Sequence, residues 1–165
     1  LYCLAPRYLS AKPNPLVLAE RIYGPSYISL ETALSYHGWI PEAAYAVTSA
    51  SLPRSTEFDT PVGLFTYTHV PQHTFLADVQ RVETGKSGES FLIASPLKAV
   101  ADYVYVHKCN WTSARPLFES LRIEDDCLAE TTPGAINRLH ANYRSTRVKR
   151  FLKGLRRELP SCPSK

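Results

Sequence analysis

Methionine is absent from the chain, and position 1 is Leu1. The sequence is therefore expected to continue on the N-terminal side of Leu1. Also missing is any run of 18 apolar residues, so no segment reads as a membrane-spanning helix. Leu1-Tyr2-Cys3-Leu4-Ala5-Pro6-Arg7 has no apolar core of signal-peptide length after a basic start. Cysteine is sparse. Cys3, Cys109, Cys127 and Cys162 form no Cys-x-x-Cys pair, and their spacing fits no zinc template. A chain of 165 residues needs no disulfide staples, so the four read as free thiols in a reducing cytoplasm. No internal repeat and no low-complexity tract occurs. What remains is ordinary for a globular protein: 44% apolar and 21% charged residues. That balance excludes bulk disorder, and the length suits one domain with a real core.

Helical and strand-like segments divide the chain in three. Leu16, Val17, Leu18, Ile22 and Tyr23 recur at helical spacing and stop at Gly24-Pro25. Ser29 reads as the cap of a second helix, with Glu31 in its first turn and Gly38 at its end. The middle is β-rich. Residues 44–50, 64–70, 79–84 and 90–94 are strand candidates, and Phe58 to Phe65 places turn residues between two strands. Gly85-Lys86-Ser87-Gly88 reads as a hairpin loop. In the last third, Ser95, Thr112, Thr132 and Ser145 each precede an apolar-periodic stretch and read as helix caps. The expected fold is α+β. A mostly antiparallel sheet of about four or five strands, from about 44 to 94, is flanked by helices, with a helical C-terminal third.

The chemistry-bearing residues point away from catalysis. Ser29 has no acid or His at a triad position beside it. His37 reads as a packed or hydrogen-bonded histidine. His69 and His73 are four apart, but Pro71 between them breaks the helix that such a ligand pair needs; His107 and Cys109 complete a metal set only on paper. Asp59, Asp78, Glu83 and Lys86 are the carboxylates and lysine a metal-dependent nuclease would draw on. They read more simply as loop and edge charges. Gly85-Lys86-Ser87-Gly88 lacks the remaining glycine spacing of a phosphate loop. Nothing here calls for a metal or a cofactor. The alternative reading, a nucleic-acid-processing enzyme, rests on those sheet carboxylates.

Charge is the clearest departure from the ordinary. The chain carries a net +4, but Arg138 to Lys165 holds nine basic residues against one acid, Glu158. That segment is +8 and the rest of the chain is −4. Such asymmetry points to a polyanion partner for the C-terminal end. Within the last helix Arg147, Arg150, Lys153 and Arg157 fall roughly on one side, widened by Lys149 and Arg156. Val148, Phe151, Leu152 and Leu155 follow the i, i+3, i+4, i+7 pattern of a docking face. The helix is thus built to dock and to show a basic surface. With Arg144 just before it, these cations are the candidate nucleic-acid contacts, binding phosphates without reading sequence.

From Tyr27 to Glu42 the sequence runs YISLETALSYHGWIPE. This stretch resembles the AbiEi-type antitoxins of type IV toxin–antitoxin systems, which are also winged-helix transcriptional regulators. Further segments fit in the same order: Gly24-Pro25-Ser26 before it, then Val47-Thr48-Ser49, Phe58 to Gly63, Phe65-Thr66-Tyr67, Phe91 to Ala99, and Asp102-Tyr103. The resemblance covers roughly residues 1–107 and fades past Trp111. Leu1-Tyr2-Cys3-Leu4 resembles the tail of the family's winged helix-turn-helix. The resemblance implies that residues 1–12 end a preceding winged-helix domain and its linker. Residues 13–165 would then be the antitoxin effector domain with a C-terminal helical subdomain. It implies a cytoplasmic, non-enzymatic repressor of its own operon. Operator DNA would be bound mainly through residues preceding Leu1. A nucleotidyltransferase-type toxin would be its functional partner, countered without direct binding.

Overall fold

The computed structural model describes residues 13–85 and 88–159. Residues 1–12, expected to end a preceding domain and its linker, together with Lys86, Ser87, Lys165 and the thiols Cys3 and Cys162, lie outside the described residues. Pro15–Ile22 forms α1, Ser26–Ile28 forms β1 and Leu30–Tyr36 forms α2. Five strands follow: β2 (Val47–Ser51), β3 (Thr56–Thr60), β4 (Gly63–His69), β5 (Val79–Thr84) and β6 (Glu89–Ala94). Helices α3 (Pro96–Val106), α4 (Arg115–Leu121), α5 (Asp125–Ala129), α6 (Pro133–Asn142) and α7 (Thr146–Glu158) complete the chain.

The fold is α+β with a helical C-terminal part, but the sheet departs from the expectation. It has six strands in the order β3-β4-β2-β1-β6-β5, and it is mixed. Three neighbouring pairs are antiparallel, while β1–β6 and β2–β4 are parallel. Two features of the chain explain the difference. β1 is only three residues long and buried throughout, so it has no alternation to mark it as a strand. It nevertheless takes the centre of the sheet, between β2 and β6. The β3–β4 hairpin then inserts with β4 against β2, which leaves β3 at the edge and makes the β2–β4 pair parallel.

Local signals hold elsewhere. Phe65 and Tyr67 of β4 are buried between partly exposed neighbours, as the alternation requires. β5 and β6 pair antiparallel from Val79↔Ala94 to Thr84↔Glu89. Gly38, at φ 71°, turns the chain out of α2. Ser95, Thr132 and Ser145 accept hydrogen bonds from the amides of Lys98, Ala135 and Val148, so three of the expected caps form. The other two do not. Ser29 stands at the start of α2 but makes no side-chain cap there. Thr112 lies outside α4, which starts at Arg115; the amide of Ala114 is instead met by the Glu158 carboxylate at 2.6 Å.

The core runs through the whole described chain. α1 lies on β1, β2 and β6, while α2 packs on β2 and α3. α3 in turn carries α6 and α7, which pack on each other. Val148, Phe151, Leu152 and Leu155 of α7 are fully buried, so the predicted apolar face of this helix is its docking face.

Candidate nucleic-acid interface

At ~100° per residue, α7 divides into a buried side around Leu155 and an opposite side around Lys153, Arg157 and Arg150. The structure follows that division. Arg150, Lys153 and Arg157 are exposed, and so is Arg144 in the link before the helix. Arg147, Lys149 and Arg156 are half-buried along the two margins. Arg147 stands at one margin of the expected face, where its Nε also donates to Asn110 Oδ1 at 3.3 Å. Among the described residues, none of the α7 cations lies within 4 Å of a carboxylate; the four ion pairs there are His107–Glu31, Arg115–Glu119, Arg122–Glu42 and Arg138–Asp78. The one acid of the C-terminal segment, Glu158, is turned onto the Ala114 amide. The helix therefore presents cations to solvent without internal neutralisation. Its N-terminal dipole end, next to Arg144 and Arg147, adds to the positive potential.

What orients this helix is a buried polar network that sequence spacing did not single out as a unit. Asp102, on α3, is fully buried. Its Oδ1 accepts from the Tyr143 hydroxyl at 2.5 Å, and its Oδ2 accepts from Ser29 Oγ at 2.7 Å and the Tyr27 hydroxyl at 2.9 Å. Tyr143 joins α6 to α7, so this bond ties the base of the basic helix to α3 and, through the Tyr27 bond to the same carboxylate, to β1. Lys98, one turn before Asp102, is equally buried. Its ammonium donates to Gln72 Oε1 at 2.5 Å and lies 5.0 Å and 5.4 Å from the ring centres of Tyr27 and Tyr143. Gln72 closes the circuit by donating to the Tyr27 hydroxyl at 2.7 Å. Asn142 extends it: its amide nitrogen donates to Gln72 Oε1 and the Thr74 carbonyl, and its oxygen accepts from the Thr74 amide. Its sequence signals are Lys98 and Asp102 at i, i+4 on an apolar helix and the place of Tyr27, Ser29, Lys98 and Asp102 in the segments that carry the resemblance. Ser29 thus acts as a buried donor rather than as a helix cap.

Burial sets the chemistry of these groups. It pushes the Tyr27 and Tyr143 phenols well above their usual range, and the nearby Asp102 charge pushes them further. Burial also raises the Tyr67 phenol, whose hydroxyl donates to the Ala19 carbonyl at 2.7 Å. Burial depresses the Lys98 ammonium, against the pull of Asp102 and Asp78. The folded state thus holds the three phenolic protons more tightly than the unfolded chain does. Their stabilising contribution is full below the ordinary phenol pKa of about 10 and is lost as pH rises above it. In an alkaline titration, Tyr27, Tyr67 and Tyr143 should ionise only together with loss of far-ultraviolet circular dichroism. Tyrosinate absorbance that accounts for all ten tyrosines before any unfolding would contradict this.

The sheet carboxylates are not gathered. Asp59 is on β3 and Glu83 on β5, at opposite edges of the sheet. Five strand spacings separate them, about 24 Å. Asp78 is engaged by Arg138, with an Nη2–Oδ1 distance of 3.0 Å. His37 Nε2 is hydrogen-bonded with the Ala94 carbonyl at 2.9 Å. His69 is hydrogen-bonded with the Leu52 carbonyl and His107 is paired with Glu31, so neither joins a ligand set. Among the described residues no group of three or more His, Cys, Asp or Glu side chains is placed to hold a metal. No described helix is long and apolar enough to cross a membrane. Set against known proteins, the chain matches no family model, no curated protein sequence and no solved structure.

Proposed function

We propose that this chain is the effector portion of a DNA-associated transcriptional regulator and antitoxin of the type IV kind, acting in the cytoplasm without catalysis of its own. The observation that carries the nucleic-acid part is the unneutralised cationic side of α7, anchored by its apolar side and by Tyr143. The antitoxin part is supported by the ordered resemblance over residues 1–107. In this reading Arg144, Arg147, Lys149, Arg150, Lys153 and Arg157 meet backbone phosphates. A winged helix before Leu1 supplies the base readout. The toxin countered is of nucleotidyltransferase type, and no direct contact with it is required.

Each phosphate neutralised on duplex DNA contributes about 0.9 to the log–log salt slope of binding. Changing Arg147, Arg150 and Arg157 together to Ala should weaken binding to every sequence alike and flatten that slope by about 2 to 3 units. Sequence preference should be unaffected. The measurement is a salt titration of duplex binding by the full-length protein, wild type against triple variant. An unchanged slope would mean the basic face is only solvated.

A further inference from the structure

A second cationic feature lies on the flank of α7 and differs in kind from the open face. Helices α6 and α7 leave a groove between them with a volume of ≈ 280 Å³. Its walls are Asn137 and His140 from α6 and Lys153 and Arg156 from α7; Ile136 and Leu152 form the floor. Helical spacing brings these together: Ile136, Asn137 and His140 share one side of α6, and Leu152, Lys153 and Arg156 share the adjoining flank of α7. The groove therefore combines an ammonium, a guanidinium, an imidazole and a carboxamide over an aliphatic base. Neither Lys153 nor Arg156 has a carboxylate within 4 Å among the described residues.

We propose that this groove is a phosphate-ester site that seats a single nucleotide unit. A guanidinium fork and an ammonium are the side chains that hold a phosphate most firmly, through short charge-assisted hydrogen bonds. The carboxamide and imidazole supply further donors for a sugar or base. The aliphatic floor suits the flat face of a base, which a bare inorganic anion would leave unused. The volume lies at the small end of ligand sites, matching one nucleotide rather than a dinucleotide. Arg150 and Arg157 do not line the groove. Of the open phosphate-contacting face the site shares only Lys153, and it does not depend on the reading of that face. The nucleotide has two possible sources with one chemistry: a free mononucleotide, or the phosphorylated end of a strand.

The test is a titration of the full chain, followed by amide chemical shifts and by calorimetry, with adenosine 5′-monophosphate, adenosine and inorganic phosphate. The monophosphate should shift resonances of residues 136–140 and 152–156, and bind about tenfold or more tightly than either fragment. Changing Lys153 and Arg156 to Ala should weaken the monophosphate by about tenfold or more. Changing Arg150 and Arg157 to Ala should alter it by less than about twofold. Lys153→Gln alone, at an exposed position, gives a second reading that does not threaten the fold. A 5′-phosphorylated oligonucleotide that displaces the monophosphate, where its 5′-hydroxyl twin does not, identifies a strand end as the source. Displacement by neither strand identifies the free nucleotide. Shifts elsewhere, equal loss in both variant pairs, or no binding of the monophosphate would overturn the proposal. Loss of duplex binding in the triple arginine variant, with monophosphate binding intact, separates this site from the open face.

Discussion

Asp102→Ala is expected to lower the stability of the folded chain by about 3–5 kcal/mol, the cost of removing one member of a buried charged set. Three hydroxyls, on Ser29, Tyr27 and Tyr143, would lose their acceptor together. The Lys98 ammonium would remain buried without the larger of the two charges that offset its desolvation, leaving only the weaker pull of Asp78. For a chain of this length the melting temperature should fall by on the order of 10 °C. Asp102→Asn should cost less, because one carbonyl oxygen still accepts and a hydroxyl can turn to meet the new amide. Pairing Lys98→Met with Asp102→Asn should recover part of the remaining loss, since it removes the unbalanced charge. Urea unfolding reads all three, with the slope checked for constancy so that the midpoint reports stability alone. A loss below about 1 kcal/mol for Asp102→Ala would place Asp102 among ordinary exposed carboxylates.

Gly154→Ala is expected to be destabilising although it removes a glycine from a helix interior. At an open helical position the exchange gains about 1 kcal/mol. Gly154, however, faces the backbone of the loop before α4. A Cβ there would stand 1.8 Å from the Thr112 carbonyl oxygen and 2.5 Å from its carbon. Even a close carbon–oxygen contact needs about 3.3 Å, so α7 or the 112–113 backbone must move by more than an ångström. A net loss of about 2–4 kcal/mol follows, even after the propensity gain. Gly134 in α6 is the internal contrast. Its nearest neighbour to a new Cβ is 3.8 Å away, at the Arg138 side chain. Gly134→Ala should therefore stabilise by about 0.5–1 kcal/mol. Thermal unfolding of the two variants should show opposite shifts. On the proposed reading of the cationic face of α7, Gly154→Ala should also weaken duplex binding in parallel, whereas Gly134→Ala should not. A stabilising Gly154→Ala would mean that α7 does not press on Thr112 as described.

The two substitutions share a physical root: α7 is placed by contacts that are distant in sequence. Much about the helix itself was legible beforehand. Val148, Phe151, Leu152 and Leu155 repeat at helical spacing and are buried, Ser145 caps the N-terminus, and Arg150, Lys153 and Arg157 reach solvent. Arg147 sits at the margin of that face, and its hydrogen bond to Asn110 is one that no helical wheel displays. Glu158 is the lone acid in a basic segment. Its use is to cap the amide of Ala114, a partner 44 residues away. α5 escaped sequence reading because five residues carry too little periodicity to register.

The amino-acid sequence by itself determined the α+β character, the β5–β6 hairpin, the stop of α1 before Gly24-Pro25, the start of α3, three serine and threonine caps, and the two-sided nature of α7. Each of these rests on interactions between residues a few positions apart, where hydrophobic period, cap chemistry and turn preference act directly. Strand order was decided only by the tertiary structure. β1 is too short and too uniformly buried to announce itself, and a mixed sheet arises from how the β3–β4 hairpin docks, a choice among long-range pairings. The polar core was decided there too. Asp102 meets Tyr27, Ser29 and Tyr143 across 75, 73 and 41 residues of chain. No local pattern encodes such a meeting, because a buried carboxylate is tolerable only where the fold has already brought its donors to it.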